Sequence, residues 1–185
     1  GVLPVQAALQ ALPPARRLGQ AEEAPLIRLS SRPVSAFVET LNAQIGREFA
    51  KRAALALGLL GLELAEAQAL GVRTRPVLVG PLTFLLLSKP SAQAEPDFTP
   101  LDLLDPLLDV YAELLERLDA AGAEWVQLDE PAYVQDRSAA ELDALRRAYE
   151  RLAALPRRPK LLVASYFGDL GPALPLLAAT DVDGL

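Results

Sequence analysis

Three short apolar runs, each followed by a turn and then by a helix-like segment, constrain this chain more than any other feature. They are Pro76–Gly80 (PVLVG), Trp125–Leu128 (WVQL) and Lys160–Phe167 (KLLVASYF). Runs of this kind read as buried strands of a parallel sheet. Between the first two, Leu101–Ala121 sets Leu104, Leu107, Leu108, Tyr111, Leu114, Leu115 and Leu118 on one helical face, with Gly122 as its cap. Ser138–Leu155 reads as a second helix, entered through a capping box of Ser138 and Glu141. Leu174–Ala179 reads as a short helix, and Val182–Leu185 as the opening of a fourth strand. Parallel neighbours need a crossover, usually a helix, so the pattern predicts an α/β fold of parallel strands alternating with helices.

A (β/α)8 barrel and an open doubly wound sheet both satisfy that alternation. A complete barrel needs about 250 residues, and the chain has 185. The expectation is therefore an incomplete (β/α)8 TIM-type barrel over residues 33–185, preceded by a helix/loop segment over residues 1–32. Within that segment Val5–Leu12 reads as a helix stopped by Pro13-Pro14, Leu18–Glu23 as polar linker and Pro25–Leu29 as a short strand. Ser31 and Pro33 then form a helix entrance. The helical stretch Val34–Leu70 is long for one helix, with a break expected near Gly46 or Gly58–Gly61 and an end at Ala69-Leu70-Gly71.

Composition narrows the chemistry. The chain contains no His, no Cys and no Met. Disulfides, thiol nucleophiles, imidazole bases and His or Cys metal ligands are thereby excluded, leaving carboxylates, Lys, Arg, Tyr, Ser, Thr and backbone groups. The absence of all three residue types, and a start on Gly, fit an excised, processed or redesigned piece. A net charge of −6 without a basic patch argues against nucleic acid. No apolar stretch reaches the roughly 20 residues of a membrane span, and no basic segment precedes the first apolar stretch as in a secretory signal. The expected location is the cytoplasm.

In parallel α/β folds the carboxyl ends of the strands form the active face. Gly80-Pro81-Leu82-Thr83, Asp129-Glu130-Pro131 and Tyr166-Phe167-Gly168-Asp169 all fall there. Side chains alternate along a strand, so Asp129 and Glu130 point apart. One of them binds a substrate amine or ring nitrogen, or else one caps a helix while the other is solvated or paired with Arg. Gly80–Thr83 is either a turn that lets backbone approach a ligand or a strand-to-helix turn in which Thr83 satisfies backbone donors. Lys89 offers a charge to an anionic tail or is simply solvated. The candidate substrate-binding residues are thus Asp129, Glu130, Thr83, Lys89 and Tyr166, with no catalytic residue and no metal ligand. Trp125 and Tyr111 read as core, and Glu22-Glu23, Arg16-Arg17 and Arg157-Arg158 as solvated charge.

Arg75–Lys89 (RPVLVGPLTFLLLSK), Glu124–Tyr133 (EWVQLDEPAY) and Lys160–Gly168 (KLLVASYFG) resemble, in order and spacing, the cobalamin-independent methionine synthase family over roughly residues 50–185. The resemblance implies two face-to-face (β/α)8 barrels in one longer chain, transferring methyl from 5-methyltetrahydrofolate polyglutamate to homocysteine. Where the family's catalytic C-terminal barrel carries zinc-binding His and Cys, this chain has Val163 and Ser165, while Ser165-Tyr166-Phe167 matches wording typical of the N-terminal barrel. The implied piece is that zinc-free N-terminal barrel: no cofactor of its own, zinc in the full-length enzyme, and no turnover alone. Its implied partners are the C-terminal barrel and folate polyglutamate. The family's basic folate-contacting segment and its Asn-Tyr-His-Tyr phrase have no counterpart here. Two alternatives stand beside this reading: a non-catalytic interaction module that self-associates through open sheet edges, and a uroporphyrinogen-decarboxylase-like barrel.

Overall fold

The computed structural model describes residues 63–92 and 94–185. The segments expected at Val5–Leu12, Leu18–Glu23, Pro25–Leu29, Ser31–Pro33 and the helix break near Gly46 or Gly58–Gly61 lie outside the described residues. So does the division at residues 32 and 33.

The described chain enters in a helix over residues 63–69, which ends as expected: Gly71 takes φ 71° and its N–H donates to the Gln68 carbonyl. Strand β1 (Val77–Val79) follows, then helix α1 (Pro81–Leu87) and a 3-10 turn (Pro100–Leu103) that leads directly into α2 (Leu104–Ala120). Strand β2 (Trp125–Asp129) leads through a second 3-10 turn (Pro131–Val134) to α3 (Ala139–Ala153), and β3 (Lys160–Ala164) is followed by α4 (Ala173–Ala178). The strands pair in parallel in the order β1-β2-β3, with Leu78 beside Leu128 and Leu128 beside Val163. The expected fourth strand is reduced to a single parallel bridge between Leu162 and Gly184. Arg158, expected as solvated charge, anchors that segment by donating to the Asp183 carboxylate at 2.5 Å.

Each helix has a local reason to exist. The seven residues predicted on one face of α2 are all buried, at the i, i+3, i+4 spacing that one helical stripe requires. Removing such a Leu side chain from water contributes about 1.5–3 kcal/mol. Gly122, at φ 83°, closes α2: its N–H donates to Asp119 and that of Ala123 to Leu118, the double bond of a Schellman ending. In α3 the Ser138 hydroxyl accepts from the Glu141 N–H at 3.3 Å while the Glu141 carboxylate accepts from the Ser138 N–H at 2.7 Å.

The two faces of the sheet differ. Leu78, Val126, Leu128, Leu161 and Val163 all turn to one side, where they join one apolar cluster with α1, α2, α3 and α4. The opposite side carries the rows Val77–Gln127–Leu162 and Val79–Asp129–Ala164. No described helix covers it, and Val77 and Val79 remain about half exposed. Trp125 lies on this open side, only half-buried beneath the Lys160 ammonium at 5.4 Å, so the expectation of a core tryptophan is corrected. Tyr111 does sit in the core, donating from its hydroxyl to the Val79 carbonyl at 2.5 Å.

Candidate functional site at the carboxyl ends of the strands

The strand ends converge through backbone first. The Gly80 N–H donates to the Asp129 carbonyl at 2.7 Å and the Glu130 N–H to the Ala164 carbonyl at 2.8 Å. The Ser165 hydroxyl donates to the Glu130 carbonyl at 3.3 Å. Asp129 and Glu130 therefore sit where all three strands finish, and the alternation of side chains sends them apart.

Glu130 turns into the helical layer and is fully buried. The first N–H groups of α1 have no partner within their own helix, and its N-cap residue, Gly80, has no side chain to supply one. Glu130 supplies it from the next strand. One carboxylate oxygen accepts from the Leu82 N–H at 3.1 Å and from the Tyr149 hydroxyl at 2.9 Å, the other from the Thr83 N–H at 2.6 Å. Gly80 is what makes room: a Cβ there would lie 2.3 Å from the Glu130 carboxyl carbon. Burial raises the Glu130 pKa, and the hydrogen bonds from Thr83, Tyr149 and Leu82 pull against that rise. Burial, with the Glu130 charge second, likewise holds the Tyr149 phenol protonated far into the alkaline range. Thr83 is buried too, and its hydroxyl accepts from the Ala132 N–H at 3.2 Å. Glu130, Thr83 and Tyr149 thus form a polar clamp behind the strand ends, joining the β1–α1 turn to the turn after β2.

Asp129 turns to the open side. Its carboxylate accepts from the Gln127 amide at 2.7 Å and from the Tyr166 hydroxyl at 3.3 Å. Gln127 is itself held by Arg75, whose guanidinium donates to its oxygen at 2.7 Å. Partial desolvation, then the Asp129 charge and hydrogen bond, raise the Tyr166 pKa. The expected strand Lys160–Phe167 stops at Ala164 because the chain turns sharply at Phe167, whose φ of 81° is incompatible with a ladder. Such a conformation costs a non-glycine residue roughly 1–2 kcal/mol.

Of the five candidate residues, Asp129 and Tyr166 meet on the open side. Glu130 and Thr83 meet behind it, beyond the reach of solvent. Lys89 lies apart, exposed beyond the far end of α1, with no ion pair among the described residues. The sequence reading omitted Gly80 as the space for a carboxylate, Tyr149 as its partner, and the Arg75–Gln127 support of Asp129. Among the described residues no three His, Cys, Asp or Glu side chains gather closely enough to hold a metal ion. At the two positions matched to zinc ligands, Val163 is buried among apolar side chains and the Ser165 hydroxyl is bonded to backbone, so the residues present do not fit a zinc ion.

Residues 49–185 match the family described as cobalamin-independent synthase, N-terminal domain. Among curated proteins, the chain is 68% identical over 123 residues to a 5-methyltetrahydropteroyltriglutamate–homocysteine methyltransferase of Streptomyces coelicolor, a stretch that is 66% of this chain and 16% of that relative. Proteins of the same name from Rhodococcus jostii and Xylella fastidiosa are 57% and 53% identical over 123 residues, again 66% of this chain and 16% of each relative. The matched stretch therefore spans about a sixth of the length of these relatives. With the family matched over most of its length, through every described strand and the turns that carry Asp129, Glu130 and Tyr166, this chain belongs to the cobalamin-independent methionine synthase family, within its N-terminal domain.

Proposed function

We propose that this chain is a sector of the N-terminal barrel of an enzyme that moves a methyl group from 5-methyltetrahydrofolate polyglutamate to homocysteine. The one-sided sheet carries this reading. A doubly wound sheet needs helices on both faces, whereas a barrel puts its helices outside and turns the other face inward. The strand order β1-β2-β3 and the cover of one face alone by the described helices suit a barrel sector. On this reading the row of Val79, Asp129 and Ala164 lines the barrel mouth. Asp129 and Tyr166 are its substrate contacts, Glu130 and Thr83 hold those contacts in place, and Lys89 serves an anionic tail. Residues 33–185 form the barrel portion and residues 1–32 a separate lead-in segment.

The family's zinc activates a thiol by holding it as thiolate, and this chain has neither His nor Cys to hold that ion. Its role is to support the catalytic C-terminal barrel and help hold folate polyglutamate, in the cytoplasm, and alone it is inactive. A chimera tests this. When the matched stretch of the Streptomyces coelicolor relative is exchanged for the same stretch of this chain, methionine formation is retained, while the 185-residue chain alone with zinc, homocysteine and methyl-folate forms none. A folded but inactive chimera, or turnover by the chain alone, overturns the reading. A second reading, self-association, draws on the edge of β1 away from β2, which pairs with no described strand.

A further inference from the structure

The open side of the sheet is polar along one strand only. Its β1 column is Val77 and Val79 and its β3 column Leu162 and Ala164, whereas β2 presents Trp125, Gln127 and Asp129. Gln127 thus stands in a row between Val77 and Leu162, where an apolar side chain would pack against both neighbours. Neither the backbone ladder nor the helical core needs an amide at that position, and the barrel reading by itself does not explain one.

The hydrogen bonds of Gln127 supply the explanation. Arg75 donates to its Oε1 at 2.7 Å, and its Nε2 donates to the Asp129 Oδ1 at 2.7 Å. The Tyr166 hydroxyl donates to the other carboxylate oxygen, Oδ2, at 3.3 Å. These four side chains form one line from the amino end of the sheet to its carboxyl end, and the line has a direction. A guanidinium only donates, so the amide oxygen faces Arg75 and the amide N–H groups are left for Asp129. A glutamine has three side-chain torsions, and a single bond on an open face holds it poorly against water. Gripped at both ends, the amide keeps one rotamer, and the guanidinium polarises the N–H that Asp129 accepts. With Gln127 on one oxygen and Tyr166 on the other, the Asp129 carboxylate keeps one direction.

We infer that Arg75, at the opposite end of the strands from the site, is a positioning residue that acts through Gln127 to fix the direction of the Asp129 carboxylate. The inference rests on the reading of Asp129 as a substrate contact. The test uses the chimera with the Streptomyces coelicolor relative, with KM read for homocysteine and for methyl-folate. Asp129→Asn raises one KM and so identifies the substrate that Asp129 meets. Arg75→Met raises that same KM by about threefold to tenfold and leaves kcat within about twofold, as loss of uniform binding does. Arg75→Lys, which keeps a donor-only cation, restores most of it. Gln127→Glu, which sets a second carboxylate beside Asp129, raises it at least as much as Arg75→Met. Arg73→Met removes a cation from the same end of the sheet, one paired with Glu124 at 3.7 Å, and moves neither KM. In the Asp129→Asn background Arg75→Met adds nothing further, whereas a residue serving the fold alone would act equally in both backgrounds. Side-chain amide NMR of the 185-residue chain gives a second readout that needs no turnover: Arg75→Met moves the Gln127 Nε2 signals toward those of solvent-exposed glutamines, and Arg73→Met does not. Unchanged Gln127 signals in Arg75→Met, an unchanged KM in that variant, or equal effects with and without Asp129, overturn the role of Arg75 while leaving Asp129 as a contact. Both KM values unchanged in Asp129→Asn overturn the contact and the role together.

Discussion

Asp129 and Glu130 are joined by one peptide bond and occupy opposite surroundings. Glu130 is sealed in the helical layer, with two backbone N–H groups and a phenol directed at its carboxylate. Asp129 stands half-buried on the face that no described helix covers, supported by Gln127 and reached by Tyr166. The same side-chain chemistry is consumed internally on one side and offered outward on the other. An acidic pair at the end of a parallel strand therefore need not be a catalytic pair. The strand's own alternation assigns one member to the fold and leaves the other to the site.

The sharpest way to break this contrast is to empty the buried side. Glu130→Leu leaves Leu82, Thr83 and Tyr149 donors without partners, and should lower the unfolding free energy by about 3–5 kcal/mol in denaturant titration, each buried orphan costing roughly 1–3 kcal/mol. Gly80→Ala crowds the same carboxylate from the other strand and should cost about 1–3 kcal/mol in the same measurement, as overpacked sites do.

Acid–base behaviour sharpens it further. Glu130 has a pKa raised by folding, so protonation favours the native state. Its contribution is complete below the ordinary value of 4.5 and is lost as pH rises through the raised one. The stability of the wild type relative to Glu130→Gln should accordingly fall with pH across that window and then level off. The chain has four tyrosines. Tyr111, Tyr133 and Tyr149 are buried, with phenol pKa values raised chiefly by burial, so in alkaline absorbance titration Tyr166 should ionise first and the other three only as the fold opens. The smallest effect belongs to the open side. Asp129→Asn keeps an acceptor for Gln127 and buries no new group, so its unfolding free energy should stay within about 0.5 kcal/mol of wild type.

Legibility in the sequence followed the same division. Helix α2 was readable because its apolar stripe recurs at helical spacing, and α3 because Ser138 and Glu141 bracket its first turn. Helix α1 was not: PLTFLLL is apolar on nearly every side, so it carries no period to recognise. The sequence extends β3 three residues beyond its observed end at Ala164 because Ser165, Tyr166 and Phe167 continue a strand-favouring run, and nothing in that run announces a left-handed turn. The size and apolarity of Trp125 suggest core but do not say which sheet face it takes, and it stands on the face that no described helix covers. The meeting of Asp129 with Tyr166 followed from both lying at strand ends. Tyr149 escaped because nothing marks which residue of an apolar helix face will answer a carboxylate 19 positions earlier.

Gly80 and Glu130 also impose an order on change. With the carboxylate in place, position 80 has no space for even a methyl group. Remove the carboxylate first, and the α1 terminus loses its acceptors before any replacement side chain at position 80 has arrived to provide new ones. Either first step leads through a less stable intermediate, so a lineage carrying this pair is held to it by history as well as by energy, and the two positions should be inherited or exchanged together.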